Sequence, residues 1–296
     1  MFIIRTGDSH QLLRTYPAHT FHACITDPPY GMMMAAWDRT VPPVDLWQEV
    51  YRTLRPGAFC LAFCAPHLYH RLAVNVEDAG FLIRDQIMWM TTTKMPKYNR
   101  LKPAHEPIVV AQKPLDGTLV HNHETWGCGT INTDTTRIPW DKAPPTGWVA
   151  QGGRRRTFGG AGKTTGTQQE FGTVDANPSG RYPSNIIGDV LPEHQKYFYA
   201  PRATREEKGA DNHHPTVKPI SLMAYLIDIY APVGTTVLDP FCGSGTTGVA
   251  AVRGGRAFVG CDTDPVYSEI ASGRCRAAIE EHKYTHDDSL FPSVSP

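Results

Sequence analysis

A glycine-rich turn between an apolar strand and a helix constrains the fold of this chain more than any other feature. Gly243, Gly245 and Gly248 have the spacing Gly-x-Gly-x-x-Gly and directly follow the strand-like run 235–238. Such glycines let the backbone approach a ligand, and the amino terminus of the helix favours an anionic group. The next predicted strand ends at Asp262, whose carboxylate can accept hydrogen bonds from ribose hydroxyls. The pattern therefore predicts an α/β sheet that binds a ribose-bearing cofactor, and it leaves the identity of that cofactor open.

The rest of the chain alternates strand-like and helix-like segments, which is typical of a parallel sheet with crossover helices. The predicted strands are 21–26, 58–64, 81–90, 108–111, 235–238 and 256–261. The predicted helices are 44–54, 66–78, 219–230, one that begins after 245, and 265–279. Residues 113–180 lose the periodicity and gain glycines, which is typical of a functional loop or a partly flexible linker. We therefore expect two α/β halves, 1–112 and 181–282, separated by a glycine-rich insert at 113–180 and followed by a tail at 283–296.

Composition limits the classes of function. The 296 residues carry a formal net charge of zero, so a polyanionic partner must be bound by local basic patches. The amino-terminal residues lack the features of a signal peptide, and no apolar run approaches the roughly 20 residues of a membrane span. Seven cysteines without any Cys-x-x-Cys indicate reduced thiols. We expect a cytoplasmic protein without a disulfide framework.

A second motif, Asp27-Pro28-Pro29-Tyr30, follows the buried strand predicted at 21–26. The amino group on an aromatic base is a poor nucleophile, because its lone pair is delocalised into the ring. A carboxylate at Asp27 and the backbone carbonyl of Pro28 can accept its N–H groups and stabilise the charge that develops during attack. The prolines restrict where these acceptors point, and Tyr30 can stack on a base taken out of the duplex. The alternative is a turn that only ends the strand.

With these motifs the chain resembles the circularly permuted, β-class amino DNA methyltransferases, which modify adenine N6 or cytosine N4. The resemblance covers nearly everything outside the insert. It depends on the turn at 6–9, the catalytic motif at 26–31, the loop at 214–219, the glycine loop at 239–246 and Asp262. It implies a doubly wound, mostly parallel, Rossmann-like α/β sheet with helices on both faces. It makes 1–112 the catalytic half and 181–282 the cofactor-binding half of one methyltransferase domain.

The resemblance also implies S-adenosylmethionine as the cofactor and assigns residues to it. Those expected to hold it are Asp8 at the adenine, Asp262 at the ribose, Thr216 and Lys218 near the carboxylate, and Asp239, Phe241, Gly243, Ser244 and Gly245 around the methionine half. The expected reaction is direct, in-line transfer of a methyl group to N6 of a flipped adenine in double-stranded DNA. Aspartate at the head of the motif favours adenine, since the cytosine-N4 enzymes more often carry serine there. Cytosine N4 is the alternative target.

Local basic segments are the candidates for DNA contact. The candidates are Lys94, Lys97, Tyr98, Arg100 and Lys102 in one window, and Arg154, Arg155 and Arg156 in the insert. Cations interleaved with an aromatic residue are suited to phosphate contact and base stacking, whereas the plain alternative is a solvated loop. The family resemblance makes the insert the target-recognition region. A homodimer and a cognate restriction nuclease are partners that the resemblance leaves open.

Two other interpretations are weaker. His121, His123 and Cys128 lack a second pair of ligands at metal-site spacing, so we predict no metal. An NAD-linked oxidoreductase would use the glycine turn but leave the motif at 27–30 unexplained. A DNA-binding protein that has lost catalysis is the third class of function, and no motif here is disrupted in a way that supports it.

Overall fold

The fold is built on one large sheet. A computed structural model describes residues 1–33, 38–91, 103–140, 148–149, 173–174, 177–188, 202–208, 212, 214 and 216–287. Its strands are β1 (Phe2–Thr6), β2 (Phe21–Thr26), β3 (Leu54–Phe63), β4 (Leu82–Met90), β5 (His105–Gln112), β6 (Trp148–Val149), β7 (Thr173–Val174), β8 (Ile186–Gly188), β9 (Thr236–Asp239) and β10 (Ala257–Asp262).

Helices connect most of these strands. They are α1 (Ser9–Leu13), α2 (Val44–Thr53), α3 (Tyr69–Asp78), α4 (Leu119–Trp126), α5 (Arg205–Lys208), α6 (Ile220–Tyr230), α7 (Thr246–Arg253) and α8 (Pro265–Asp287). Sequence explains their starts: Pro43 precedes α2 and Pro219 precedes α6, where the fixed φ of proline suits a helix entrance. In α2 the buried residues Leu46, Trp47 and Val50 follow helical spacing, so one face packs on the sheet.

The order of the strands changes direction at the centre of the sheet. The eight-stranded sheet has the order β1-β10-β9-β2-β3-β5-β4-β8, and β5 runs antiparallel to both of its neighbours. From the central pair β9 and β2 the chain winds outward in opposite directions, through α7 to β10 and through α2 to β3. Ligands of open α/β sheets bind at such a switch point, beyond the carboxyl ends of the strands.

A hydrophobic core lies on each face of the sheet. Alternate residues of β3 divide between them: Phe59, Leu61 and Phe63 belong to the core beneath α6, α7 and α8, whereas Cys60 and Ala62 belong to the core beneath α1, α2 and α3. This alternation is the period of two that a strand imposes on its side chains. The sheet is therefore covered by helices on both faces, and the doubly wound α/β prediction is confirmed.

Several local predictions were incomplete or wrong. The insert at 113–180 was expected to lack regular structure, but α4 lies within it, capped by the Thr118 side chain and ended by Gly127 in a left-handed conformation. Helix α8 continues to Asp287 rather than ending near 279. Strand β3 begins at Leu54, directly after α2, because Leu54 is already extended. The division into halves, insert and tail stays a prediction.

Two further properties concern the helices and the cysteines. Within the described ranges, no helix combines the length and the apolar character needed to cross a bilayer. All seven cysteines are buried free thiols.

Candidate active site

The two sequence motifs open into the same cavity at the carboxyl edge of the sheet. The cavity has a volume of about 1280 Å³. Strands β2 and β9 are parallel neighbours, with Ala23 opposite Val237 and Cys24 opposite Leu238. Residues that follow the two strands must therefore emerge side by side, and Asp27 and Asp239 both line the cavity.

A buried hydrogen bond joins the two motifs directly. The Thr26 hydroxyl donates to Oδ1 of Asp239 at 2.7 Å, and the Thr247 hydroxyl donates to Oδ2 at 2.6 Å. The backbone N–H of Phe241 donates to Oδ1 at 3.1 Å. Burial raises the pKa of Asp239 to about 6, and these donors oppose that rise. Asp239 thus fixes the start of the glycine loop against the strand that carries the catalytic motif.

The glycine loop is held from both sides. Oδ2 of Asp262 accepts from the N–H of Gly243 at 2.9 Å, while Oδ1 accepts from the N–H of Asp264 at 2.9 Å. On the other side, the Arg274 guanidinium donates to the Ser244 carbonyl at 2.7 Å. Gly243 has φ +48°, and a Cβ there would lie 2.8 Å from Nε2 of His214. Only glycine fits this turn without displacing that ring.

Asp27 lies in a cluster of four polar side chains in the same cavity. The Tyr30 hydroxyl donates to Oδ1 of Asp27 at 2.6 Å and also lies 3.2 Å from Oε2 of Glu106. The Lys218 ammonium donates to Oδ2 of Asp27, and its Nζ lies 3.6 Å from Oε2 of Glu106. Lys218 comes from the loop before α6, and Glu106 from the start of β5. Two distant segments thus meet at the motif that carries Asp27.

For both Asp27 and Lys218, burial and the charge of the partner residue shift the pKa in opposite directions. Burial raises the pKa of Asp27, and the Lys218 ammonium lowers it without cancelling the rise. For Lys218 burial alone would lower the pKa, but the carboxylates of Asp27 and Glu106 outweigh burial and raise it. The lysine is therefore held charged. Its side chain is 8% exposed, against 18% for Asp27 and 13% for Glu106.

The loop after the motif is braced by Asp38. Its carboxylate accepts from the N–H of Gly31 at 2.6 Å and from the N–H of Met32 at 3.2 Å. Asp38 is buried, and Gly31 has φ +73°. The acidic residue therefore orients the turn that carries Tyr30 into the cavity.

The structure brings most of the predicted site residues together. Those that line the cavity are Asp8, Asp27, Pro28, Pro29, Tyr30, Thr216, Lys218, Asp239, Phe241, Gly243, Ser244 and Asp262. Gly245 does not line it: with φ +82° its Cα packs against Ala271 of α8, where a Cβ would come within 2.7 Å. The Lys218 ammonium contacts Asp27, whereas the sequence suggested a place near the cofactor carboxylate.

Other predicted positions lie outside the described residues. They are Lys94, Lys97, Tyr98, Arg100, Lys102, Arg154, Arg155 and Arg156.

Sequence reasoning missed Glu106 and His214. No role was predicted for Glu106, yet it is an acidic residue directly before the apolar, buried run 107–111 of β5, and that was the available signal. His214 was part of a matched motif without a role. Its ring lies against Gly243 and edge-on to Tyr267 at 4.6 Å, and burial lowers its pKa to about 4. It is therefore a neutral packing surface for the glycine loop at physiological pH.

A metal centre has no support in the described part of the chain, where no group of three or more His, Cys, Asp or Glu side chains is placed to hold an ion. His121 and His123 lie on α4, and Cys128 is buried with its Sγ 3.6 Å from the His22 carbonyl.

Comparison of the sequence with known families and proteins gives consistent matches. The profile of the DNA methylase family matches residues 21–273. The Type II methyltransferase M.HindIII of Haemophilus influenzae is 24% identical over 314 aligned residues, which cover 92% of this chain and 94% of that protein. The Type II methyltransferase M2.DpnII of Streptococcus pneumoniae is 48% identical over 67 residues, or 23% of this chain and 25% of that protein.

Solved structures share the fold. The complex of M1.HpyAVI with S-adenosylmethionine aligns with a TM-score of 0.53 at 20% identity, covering 93% of this chain and 100% of that chain. The protein TTHA0409 of Thermus thermophilus, complexed with S-adenosylmethionine, aligns with a TM-score of 0.56 at 20% identity, covering 94% and 95%. The cytosine-N4-specific PvuII DNA methyltransferase aligns with a TM-score of 0.59 at 15% identity, covering 95% and 91%.

Proposed function

Because this chain belongs to the DNA methylase family of N6-adenine and N4-cytosine enzymes, we propose that it methylates N6 of adenine at specific sites in DNA. Membership makes it a DNA methyltransferase, and its cofactor is S-adenosylmethionine. Its relatives include enzymes of Type II restriction-modification systems. The choice of adenine, the residue roles and a companion nuclease are proposals.

One observation carries the choice of base: an aspartate, Asp27, heads the catalytic motif and faces the cavity that the glycine loop also lines. A carboxylate is a stronger hydrogen-bond acceptor than a hydroxyl and stabilises positive charge on an attacking amine. Serine at this position is commoner among the cytosine-N4 enzymes that the sequence resembles. The aspartate therefore favours adenine.

The residues of the motif at 27–30 have different proposed roles at the target base. The Asp27 carboxylate and the Pro28 carbonyl accept the two N–H groups of the exocyclic amine, which leaves the nitrogen lone pair directed away from them. Tyr30 presents its ring to the face of a base taken out of the duplex. When bound, S-adenosylmethionine supplies an electrophilic methyl group. Transfer is then direct, and no residue of this chain needs to form a covalent bond to the base.

Other residues that line the cavity suit the cofactor. An adenosine with a methionine tail needs groups that accept hydrogen bonds from the ribose hydroxyls. It also needs N–H donors near its carboxylate, and the residues that line the cavity offer both. We propose that Asp262 accepts from the ribose hydroxyls, that Asp8 accepts from the adenine amine, and that the loop at 241–244 surrounds the methionine half. Thr216, exposed at the cavity rim, is suited to donate to the carboxylate.

DNA contact is assigned to segments on the sequence alone. We propose that the basic window 94–102 contacts phosphates and that the insert at 113–180 reads the target sequence, with its arginines at guanine edges. With zero net charge, the protein depends on such local patches for DNA affinity.

The test is a methyl-transfer assay that reports the base. The protein is incubated with S-adenosylmethionine labelled in its methyl group and with duplex DNA of mixed sequence, and the DNA is digested to nucleosides. We expect the label in N6-methyladenine. The Asp27→Ala variant serves as the control for contaminating activity and should transfer label about 10²–10³-fold more slowly. Label in neither base refutes the proposed function.

Cytosine N4 is the second candidate. The fold similarity to the cytosine-N4-specific PvuII enzyme favours it, since that comparison gives a TM-score of 0.59. Label found only in N4-methylcytosine would replace adenine with cytosine as the target and would leave the assignment of the acceptors at Asp27 and Pro28 in place.

A further inference from the structure

Both oxygens of the Asp27 carboxylate already have donors within the protein. Oδ1 accepts from the Tyr30 hydroxyl at 2.6 Å, and Oδ2 accepts from the Lys218 ammonium. An incoming base amine needs one of these oxygens. The ammonium is a charged donor, and charge-assisted hydrogen bonds are roughly twice as strong as neutral ones. The Lys218 ammonium therefore weakens the carboxylate as an acceptor, and its charge opposes the positive charge that develops on the attacking amine.

Glu106 offers the lysine a second partner. Its Oε2 lies 3.6 Å from Nζ of Lys218 and 3.2 Å from the Tyr30 hydroxyl, so both donors that hold Asp27 also face Glu106. A charge-assisted bond is about 2.8 Å long, so a small rotation of the lysine side chain would complete the second pair.

The surroundings permit this movement and restrict others. Nζ of Lys218 lies 5.0 Å from the centroid of the Phe63 ring and 5.5 Å from that of Tyr30. The residue is buried, and Pro219 and the buried helix α6 follow it at once. The ammonium is therefore screened from solvent, and the backbone of Lys218 is fixed. The described structure gives it two carboxylates between which to move.

We propose that Lys218 exchanges between Asp27 in the substrate-free enzyme and Glu106 when a base amine reaches Asp27. Glu106 is then a positioning residue, which draws the ammonium off the catalytic carboxylate. The inference rests on the proposed function, because it concerns the same reaction.

The net charge of the cluster predicts a different effect for each variant. Asp27, Glu106 and Lys218 together carry one net negative charge, which lies on Asp27 when the lysine pairs with Glu106. Glu106→Gln removes the second anionic partner, so the ammonium stays on Asp27 and weakens it as an acceptor. Lys218→Met removes the ammonium that faces both carboxylates, so their mutual repulsion favours a shared proton. The double variant keeps only the Asp27 carboxylate of these three charges, which restores the net charge of the trio and releases Asp27 from the lysine.

The first experiment is a double-mutant cycle. Single-turnover methylation rates are measured with saturating S-adenosylmethionine and DNA, so that losses of cofactor affinity do not contribute. We expect each single variant to be slowed, and the double variant to be at least about tenfold faster than the product of the two losses predicts. Losses that multiply would mean that Lys218 and Glu106 act independently, and that result would overturn the exchange.

A matched cycle controls for the substitution itself. Glu77 is an exposed glutamate on α3, and Glu77→Gln makes the same chemical change away from the cavity. Combined with Lys218→Met, it should leave the rate of Lys218→Met unchanged. A rate gain in that combination equal to the gain with Glu106→Gln would also overturn the proposal.

A second measurement does not depend on variants that fold. We expect a structure of the wild-type enzyme with S-adenosylhomocysteine and target DNA to show Nζ of Lys218 on Glu106 and the base amine on Asp27. An ammonium still on Asp27 beside the bound base would end the proposal. Wild-type enzyme that methylates neither base would remove the proposed function and the exchange together, whereas wild-type activity with multiplied losses removes the exchange alone.

Discussion

Asp27 is a carboxylate in a site that disfavours its charge. Burial raises its pKa, and the adjacent Lys218 opposes that rise. Such competition is common where a side chain must stay ionised yet remain shielded from water. The same shielding would strengthen each hydrogen bond that the carboxylate is proposed to make to a reacting amine.

Replacing this acceptor should affect turnover rather than cofactor binding. We expect Asp27→Ala to lower kcat by about 10²–10³-fold, the usual effect of removing one preorganised group. The dissociation constant for S-adenosylmethionine, measured by calorimetry, should change little. The control is Asp78→Ala, at the exposed end of α3, which should keep full activity. Full methylation by Asp27→Ala would show that the catalytic assignment is wrong.

Asp262 should have the opposite profile. Its carboxylate accepts from the N–H of Gly243 as well as facing the cavity, so Asp262→Ala loses a proposed ribose contact and a support of the glycine loop. We expect the dissociation constant for S-adenosylmethionine to rise by about tenfold or more, since one lost charged hydrogen bond is worth about 1.5–3 kcal/mol. Asp262→Asn, which can still accept one N–H, should lie between. An unchanged constant would exclude both roles.

At the scale of elements, the strand–loop–helix unit from β9 to α7 depends on close packing at two glycines. Gly245 approaches Ala271 of α8, and Gly248 lies within α7 against the Phe258 ring and Cys275. A Cβ at Gly248 would come within 2.6 Å of the Phe258 ring and 2.7 Å of Cys275 Sγ. The third glycine of the fingerprint is thus needed for packing of the helix on the strand, as in other dinucleotide-type folds.

This packing can be tested by a pair of alanine substitutions. Gly248→Ala should lower the free energy of unfolding by about 1–3 kcal/mol through overpacking. Gly273→Ala, on α8 with no atom within 4 Å of the added Cβ, should be neutral or stabilise by about 0.5–1 kcal/mol. Urea denaturation of both variants measures the difference. Equal midpoints for the two variants would show that Gly248 is not confined as described.

Sequence predicted the elements that carry a strong local pattern and missed those that depend on tertiary contacts. The strand at 21–26 and the start of the last helix at 265 agree with β2 and α8, because apolar runs and proline mark them. Strand β8 has three residues, and only its pairing with β4 defines it. The contact between Lys218 and Glu106 joins positions far apart in the chain, and no single sequence encodes such a distance in its local pattern.

At the scale of the whole molecule, two histidines make stability depend on pH. Burial lowers the pKa of His22 to about 4, and its Nδ1 accepts from the N–H of Thr236 at 3.2 Å. Burial also lowers the pKa of His214 to about 4. Both rings are neutral in the folded protein and would bind a proton more readily in the unfolded chain.

The sign of the effect follows from linkage. Between the ordinary histidine pKa of 6.5 and about 4, the unfolded chain binds more protons, so the free energy of unfolding falls as the pH falls through this window. We expect His22→Gln, whose amide oxygen can still accept from Thr236, to reduce that fall by about 2 kcal/mol. Asp239 acts in the opposite direction, because burial raises its pKa to about 6. Wild type and variant share this contribution, so it does not affect the difference between their slopes. Parallel slopes for wild type and variant would contradict the prediction.

The first strand of the sheet pairs with the last, since residues 2–6 of β1 lie beside 258–262 of β10. The turn at 27–30 and the glycine loop at 241–244 line one cavity, although about 200 residues of chain separate them. A chain cut before β9 would keep the turn proposed to bind the amine, but it would lose the loop proposed to surround the methyl donor.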